Sequence, residues 1–162
     1  MDDIKIRNSK PGDITFLVQW FLEPGTLKWF PMKYRAEVED AARNCLFYAR
    51  YNAAWTATYK NVPCGFINLY LQPFQKLSHQ CLFPIIVTSK FRGKGIGSKL
   101  IKHAINEGKN KFKLEYLHLE VYQGNPAKAL YEKLGFVQYG VHKRFIKDGD
   151  EYLDNHLMQK KL

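Results

Sequence analysis

The sequence predicts an α/β (α+β) fold, with a mixed, mostly antiparallel sheet of six to seven strands and helices on both faces, in one domain over residues 1–162. Three observations predict it. The elements run strand, two helices, three strands, helix, strand, helix, two strands, an order that suits such a sheet. The hydrophobic period switches between 2 and 3.6 along the chain. Finally, 162 residues with 46% apolar and 15% aromatic content can bury one core, and no repeat, low-complexity tract or linker divides them.

The first strand is "IKIR", which alternates apolar and charged residues. "KPGDITFLVQWFL" follows as a turn and an amphipathic helix capped near Asp13. "EPGTLKWFP", residues 23–31, is a loop by its proline and glycine, and "YRAEVEDAARNCLFYA" is a second helix. "AWTATY" and "CGFINLYL" flank the turn "KNVP" as a hairpin. "CLFPIIV", residues 81–87, is the fourth strand, although Pro84 cannot donate to a ladder and is tolerated at edges and bulges.

That strand runs into "RGKGIG", after which Ile96, Leu100, Ile101, Ala104 and Ile105 fall on one helical stripe. "EYLHLEV" alternates Leu117, Leu119 and Val121 as a strand. A short helix then has Asn125 as N-cap, Pro126 at its first position and Gly135 beyond its end. "FVQYGVHKRFI" and "EYLDNHLMQKKL" close the chain as a hairpin around "KDGD".

A glycine loop between a strand and a helix puts free amides at the positive end of the helix dipole, where Arg92 and Lys94 add charge to the rim. A Walker loop is excluded because Gly97 is followed by Ser98 and then Lys99; a dinucleotide fingerprint is excluded because Ser98 stands three after Gly95. An anion cradle and a plain glycine-rich turn with solvated charges both remain open on the loop alone.

Bulk properties weigh against other classes. The net charge of +10 attracts polyanions, but Lys and Arg are spread along the chain without a basic helix or an aromatic RNP-like strand, so no nucleic-acid partner is expected. The N-terminus has neither a basic start nor an apolar stretch, and no segment approaches the ~20 apolar residues that span a bilayer, so no membrane partner and a cytoplasmic location are expected. Cys45, Cys64 and Cys81, an odd set without CxxC spacing, read as buried thiols in a reducing compartment; the five scattered histidines predict no metal site.

Two motifs together resemble the GNAT superfamily of acetyl-coenzyme A-dependent N-acetyltransferases. Arg92, Gly95 and Gly97 occupy the defined places of its [RQ]xxGx[GA] motif. "NPAKALYEKLGF", residues 125–136, is similar to NxxAxxLYxxxGF, with the small residue at Ala127 or Ala129 depending on alignment. The similarity runs from about Ile4 to the C-terminus and is sharp over residues 85–136.

The resemblance implies acetyl-CoA (coenzyme A) as co-substrate and a splay between the fourth and fifth strands. Ile85, Ile86 and Val87 would then face pantetheine, with the amide near Val87 polarising the thioester. Arg92, Gly93, Lys94, Gly95, Ile96, Gly97 and Ser98 would cradle the pyrophosphate. Asn125 and Lys128 would hold the coenzyme from the second motif, and Tyr131 would be the general acid to the departing thiolate, although a core aromatic on an amphipathic helix is the plainer reading.

No base is evident: the strand before the glycine loop lacks an acid, Glu120 reads better as a solvated or structural face, and His118 is a lone strand histidine. The early loop "FLEPGTLKWFPMKY", residues 21–34, and the ending "DGDEYLDNHLM" resemble the branch holding ribosomal-protein, polyamine, amino-sugar and aminoglycoside acetyltransferases. That likeness makes Glu23, Trp29 and Tyr152 the acceptor candidates, with Asp154 behind them. The expected partner is a small-molecule or peptide amine, and the expected state is monomer or homodimer. A non-catalytic acyl-CoA sensor on the same fold, and a basic nucleic-acid-binding domain, are the competing readings.

Overall fold

In the computed structural model, which describes residues 3–162, the elements are β1 (Ile4–Asn8), α1 (Ile14–Phe21), α2 (Arg35–Phe47), β2 (Ala54–Tyr59), β3 (Val62–Asn68), β4 (Gln80–Leu82), β5 (Ile85–Val87), α3 (Ile96–Asn110), β6 (Tyr116–Tyr122), α4 (Ala127–Lys133), β7 (Val137–Asp148) and β8 (Glu151–Lys161). The strands pair as two ladders, β1-β2-β3-β5 and β4-β6-β8-β7. Only β4 and β6 run parallel among the described pairs, which gives the mixed, mostly antiparallel sheet that the element order predicts.

The strand count is eight among the described residues rather than six to seven. The extra strand comes from residues 81–87, which change partners at Pro84. Before it, Cys81 pairs with Leu117 and Leu82 with His118; after it, Ile85, Ile86 and Val87 pair with Ile67, Phe66 and Gly65. Proline offers no amide and biases its predecessor away from the helical region, so one run can end its first ladder there and start another. A single bridge, Tyr70 to Leu82, ties β4 back toward the first ladder.

Helices cover both faces. Leu17, Trp20 and Phe21 of α1 and Val38, Ala42 and Cys45 of α2 pack on Ala54, Phe66 and Ile86. On the other face Ile96, Leu100, Ile101 and Ala104 of α3 and Tyr131 of α4 join Trp55, Ala57, Ile67, Leu117, Leu119, Val121 and Met158. Each of the Leu, Ile, Val, Phe and Met side chains among them contributes roughly 1.5–3 kcal/mol on burial. Gly65 lets α3 settle on β3, since a methyl there would stand 3.1 Å from Leu100 Cδ1 and 3.2 Å from both Ile96 Cγ2 and Ile86 O. Cys45, Cys64 and Cys81 are buried and free, and burial pushes their thiols up to about 11, 11 and 12.

Asp13 does not cap α1. Its carboxylate is instead the hub of a buried polar cluster: it takes a bidentate pair of hydrogen bonds from Arg7 at 2.7 and 2.8 Å, one from the Lys10 amide at 2.8 Å and one from the Thr56 hydroxyl at 2.8 Å. Burial pushes the carboxyl up, but these donors together outweigh it and hold it below the ordinary carboxylate range. A carboxyl depressed by folding adds stability above its unfolded pKa and loses it as pH falls through the folded value. Asp13→Asn is therefore expected to lose about 2 kcal/mol at neutral pH, and its urea-unfolding curve should converge on that of the wild type below about pH 4.

Candidate active site

After the partner change at Pro84, β5 has a strand partner on one side only, and we call the unpaired stretch between it and β6 the gap. On one wall is β5, and on the other is the part of β6 that runs beyond the His118–Leu82 pair, residues 119–122. Antiparallel pairing alternates the residues whose amides and carbonyls face the neighbouring strand. Thr88 N donates to Cys64 O at 3.1 Å, so Thr88 and Ile86 face β3, while Ile85 and Val87 turn their backbone groups to the gap. Of the three residues expected to face a pantetheine arm, Ile86 is thus taken by the β3 ladder. The Val87 carbonyl accepts from Arg92 Nε at 3.0 Å.

Beyond β5 the chain enters the glycine loop. Gly93 and Gly95 have φ of +76° and +79°, where a side chain is strained, and nothing lies within 4 Å of a methyl built on either. The amides of Gly93, Gly95, Ile96, Gly97 and Ser98 meet no acceptor among the described residues. They open the 15-residue helix α3, and together with the exposed Lys94 they make a positive concavity that fits an anion such as a pyrophosphate. Arg92, expected on that rim, is exposed beside Gly93, and its guanidinium is also tied back: besides Val87 O, it reaches the Thr26 hydroxyl at 3.4 Å. Gly97 lies where a methyl would be 3.4 Å from Leu130 and 3.9 Å from Val87, so the first turn of α3 meets α4 and β5 there.

α4 brings Tyr131 to the apex of the gap. Asn125 Oδ1 accepts from the Ala127 amide at 2.9 Å and starts the helix. Gly135 (φ +86°) ends it in a Schellman turn, with Gly135 N donating to Glu132 O and Phe136 N to Tyr131 O. Between these ends the Tyr131 ring is held edge-on by Phe83 at 6.5 Å and Phe136 at 6.3 Å. Phe83 immediately precedes Pro84, so this contact seats the tyrosine where the ladders part. Burial pushes its phenol up to about 12.

Other expected residues are placed differently. Lys128 turns its ammonium to β7 and β8, where Gln138 Oε1 (2.9 Å) and His156 Nδ1 (3.0 Å) accept from it. Both carboxylate oxygens of Glu23 are engaged, one by the Thr88 hydroxyl and one by the Ser89 amide at 2.8 Å. Trp29 lies across from them, with Cη2 4.0 Å from where a Gly124 methyl would be. The Tyr152 ring sits under the Arg144 guanidinium at 3.8 Å, and Asp154 is held by Lys143 and the Arg144 amide, so neither is free on the hairpin.

Sequence reasoning undervalued Glu120. It lies on the β6 wall of the gap, exposed, and the buried Asn155 donates to its Oε2 at 2.8 Å. The partner that orients it comes from β8, 35 residues away, and no local spacing announces it. Tyr122 shares that face of β6; burial first, then Glu120, push its phenol up to about 12. His118 is driven below its ordinary value by burial and then by His79.

Comparison with known proteins bears on the same segments. The model of the acetyltransferase (GNAT) family matches residues 14–136. The L-amino acid N-acetyltransferase AaaT of Escherichia coli (strain K12) is 29% identical over 97 residues, 59% of this chain and 60% of that protein. An N-alpha-acetyltransferase of Saccharolobus solfataricus is 39% identical over 79 residues, 48% of this chain and 46% of that protein. The chain thus spans about half the length of these curated relatives. In fold, the yncA structure from Salmonella typhimurium, with its cofactor acetyl-CoA, superposes with a TM-score of 0.83 at 16% identity, covering 99% of this chain and 94% of that one.

The left-handed turn makes one outcome specific. Gly95→Ala should lower stability by about 1 kcal/mol in thermal unfolding while the helix content by circular dichroism is kept, because the strain is confined to the residue before α3.

Proposed function

The chain belongs to the acetyltransferase (GNAT) family, and from that premise we propose that it moves an acetyl group from acetyl-CoA to the primary amine of a small molecule or peptide, by direct attack in a ternary complex. The observation that carries the reading is the open edge of β5, which leads directly into the unpaired amides of the glycine loop with Tyr131 at the apex. An edge of alternating donors and acceptors suits the amide-bearing pantetheine arm, and the cradle beyond it suits a pyrophosphate.

Acetyl-CoA supplies the thioester. The Val87 N–H, turned to the gap, polarises its carbonyl and stabilises the oxyanion that forms as the amine nitrogen adds. An aliphatic ammonium must lose a proton before it attacks, and Glu120, with one oxygen fixed by Asn155 and the other unengaged among the described residues, takes that proton. The C–N bond forms, the C–S bond breaks, and Tyr131 donates to the departing thiolate. A phenol near 12 is fully protonated in the working range, so it is always ready to donate. It is about 3.5 pKa units weaker an acid than an ordinary thiol near 8.5, so hydrogen-bond donation precedes any complete transfer.

Acetyl-CoA in excess is expected to raise the melting temperature of the wild type, and a screen of peptide N-termini, polyamines and amino sugars should release free thiol with at least one of them. No stabilisation by acetyl-CoA sinks the proposal; stabilisation without turnover on any amine leaves a coenzyme-binding module. Tyr131→Phe should lower kcat by about a hundredfold while keeping the thermal shift. Glu120→Gln should lower kcat/KM by a similar factor while keeping the thermal shift with acetyl-CoA. Since Tyr131 titrates at about 12, the wild-type rate should show no alkaline fall below about pH 10; a fall centred near pH 8 to 9 would remove Tyr131 from the acid role.

A further inference from the structure

Resting on that proposed activity, we propose that Glu23 and Thr88 are positioning residues for the amine: they latch the α1–α2 loop across the mouth of the gap, and coenzyme bound at the glycine loop tightens the latch. The loop between Phe21 and Arg35 touches both walls. On the β5 side, the Glu23 carboxylate accepts from the Thr88 hydroxyl and from the Ser89 amide at 2.8 Å. Arg92 adds a second tie, donating to the buried Thr26 at 3.4 Å while it holds Val87 O at 3.0 Å. On the β6 side, Trp29 lies against Gly124, whose φ of +82° and missing side chain leave room for the indole edge. Phe30 anchors the middle of the loop edge-on to Phe21 at 5.0 Å.

Two features separate this from an ordinary loop contact. Every tie on the β5 side lands within residues 87–92, the segment that joins the open strand edge to the unpaired amides beginning at Gly93. Ordering those amides around an anion orders the anchor points of the loop as well. Glu23 is also a charged acceptor on two donors, and such bonds are about twice as strong as neutral ones. The loop therefore closes the amine side of the gap to a degree set by the coenzyme side.

The test compares Glu23→Gln, Thr88→Val and the hydroxyl-retaining Thr88→Ser. Coenzyme A without an acetyl group is the probe, so the outcome does not depend on turnover. Amide hydrogen exchange of residues 24–31 should slow when coenzyme A binds wild type and Thr88→Ser, and should not slow in Glu23→Gln or Thr88→Val. With a screened amine, the two latch-breaking variants should raise the amine KM about tenfold and leave kcat within about threefold. Because the coupling is reciprocal, the coenzyme A dissociation constant should rise in these two variants by the same factor by which coenzyme A slows loop exchange in the wild type. Equal loop protection in all four proteins, or an unchanged amine KM, overturns the latch while the acetyl-transfer reading stands. A coenzyme A dissociation constant that rises well beyond that factor would make Glu23 a coenzyme contact, and one that does not rise at all would remove the coupling; either overturns the latch. Absence of any coenzyme A thermal shift in the wild type overturns both.

Discussion

A residue without an amide hydrogen sits where two ladders meet, and most of what is distinctive in this protein depends on it. Pro84 ends the parallel pairing of β4 with β6 and lets β5 begin an antiparallel pairing with β3. Because β5 gains a partner on one side only, every second residue of it presents its backbone to open space. A continuous seven-residue strand would have paired those groups with β6 and closed the gap. The cost of leaving them unpaired is borne by the cores on the two faces, which hold both walls in place.

Around that opening, elements far apart in sequence each supply one part. The glycine loop contributes amides and positive dipole, α4 a phenol whose ring is fixed by Phe83 and Phe136, β8 the Asn155 amide that orients Glu120, and the α1–α2 loop its roof. Tyr131 is buried, which raises its phenol, whereas Glu120 is exposed and held by one hydrogen bond from Asn155. An acyl transfer to an amine uses a donor for the departing thiolate and an acceptor for the amine proton.

Much of this was legible in the sequence because the signals are local. Hydrophobic period and capping residues place α3, β6 and α4 within a residue or two, and the glycines of "RGKGIG" mark the turn where positive φ is needed. What escaped was long-range. Lys128 looks free on its helix, but Gln138 and His156 reach it from the last hairpin. Asp13 looks like a helix cap, yet Arg7 and Thr56 from two strands claim it. Glu23 looks like a loop acid awaiting a ligand, and Arg92 like a phosphate contact, but they bond across 65 and 66 residues of chain to the far end of β5 and the loop opposite. Side-chain identity gives the chemistry of such groups; only the packed sheet decides their partners.

The break at Pro84 also bears on how the molecule behaves among its own copies. An unpaired strand edge on a protein surface is a template for adding another chain, and proteins ordinarily blunt such edges with charge, proline or a covering loop. β5 is the last strand of its ladder, and the bond from the Ser89 amide to Glu23 holds the α1–α2 loop at the end of that edge, so a covering loop is the device this fold uses. Unpaired backbone groups can then stay open to a ligand without inviting a further strand.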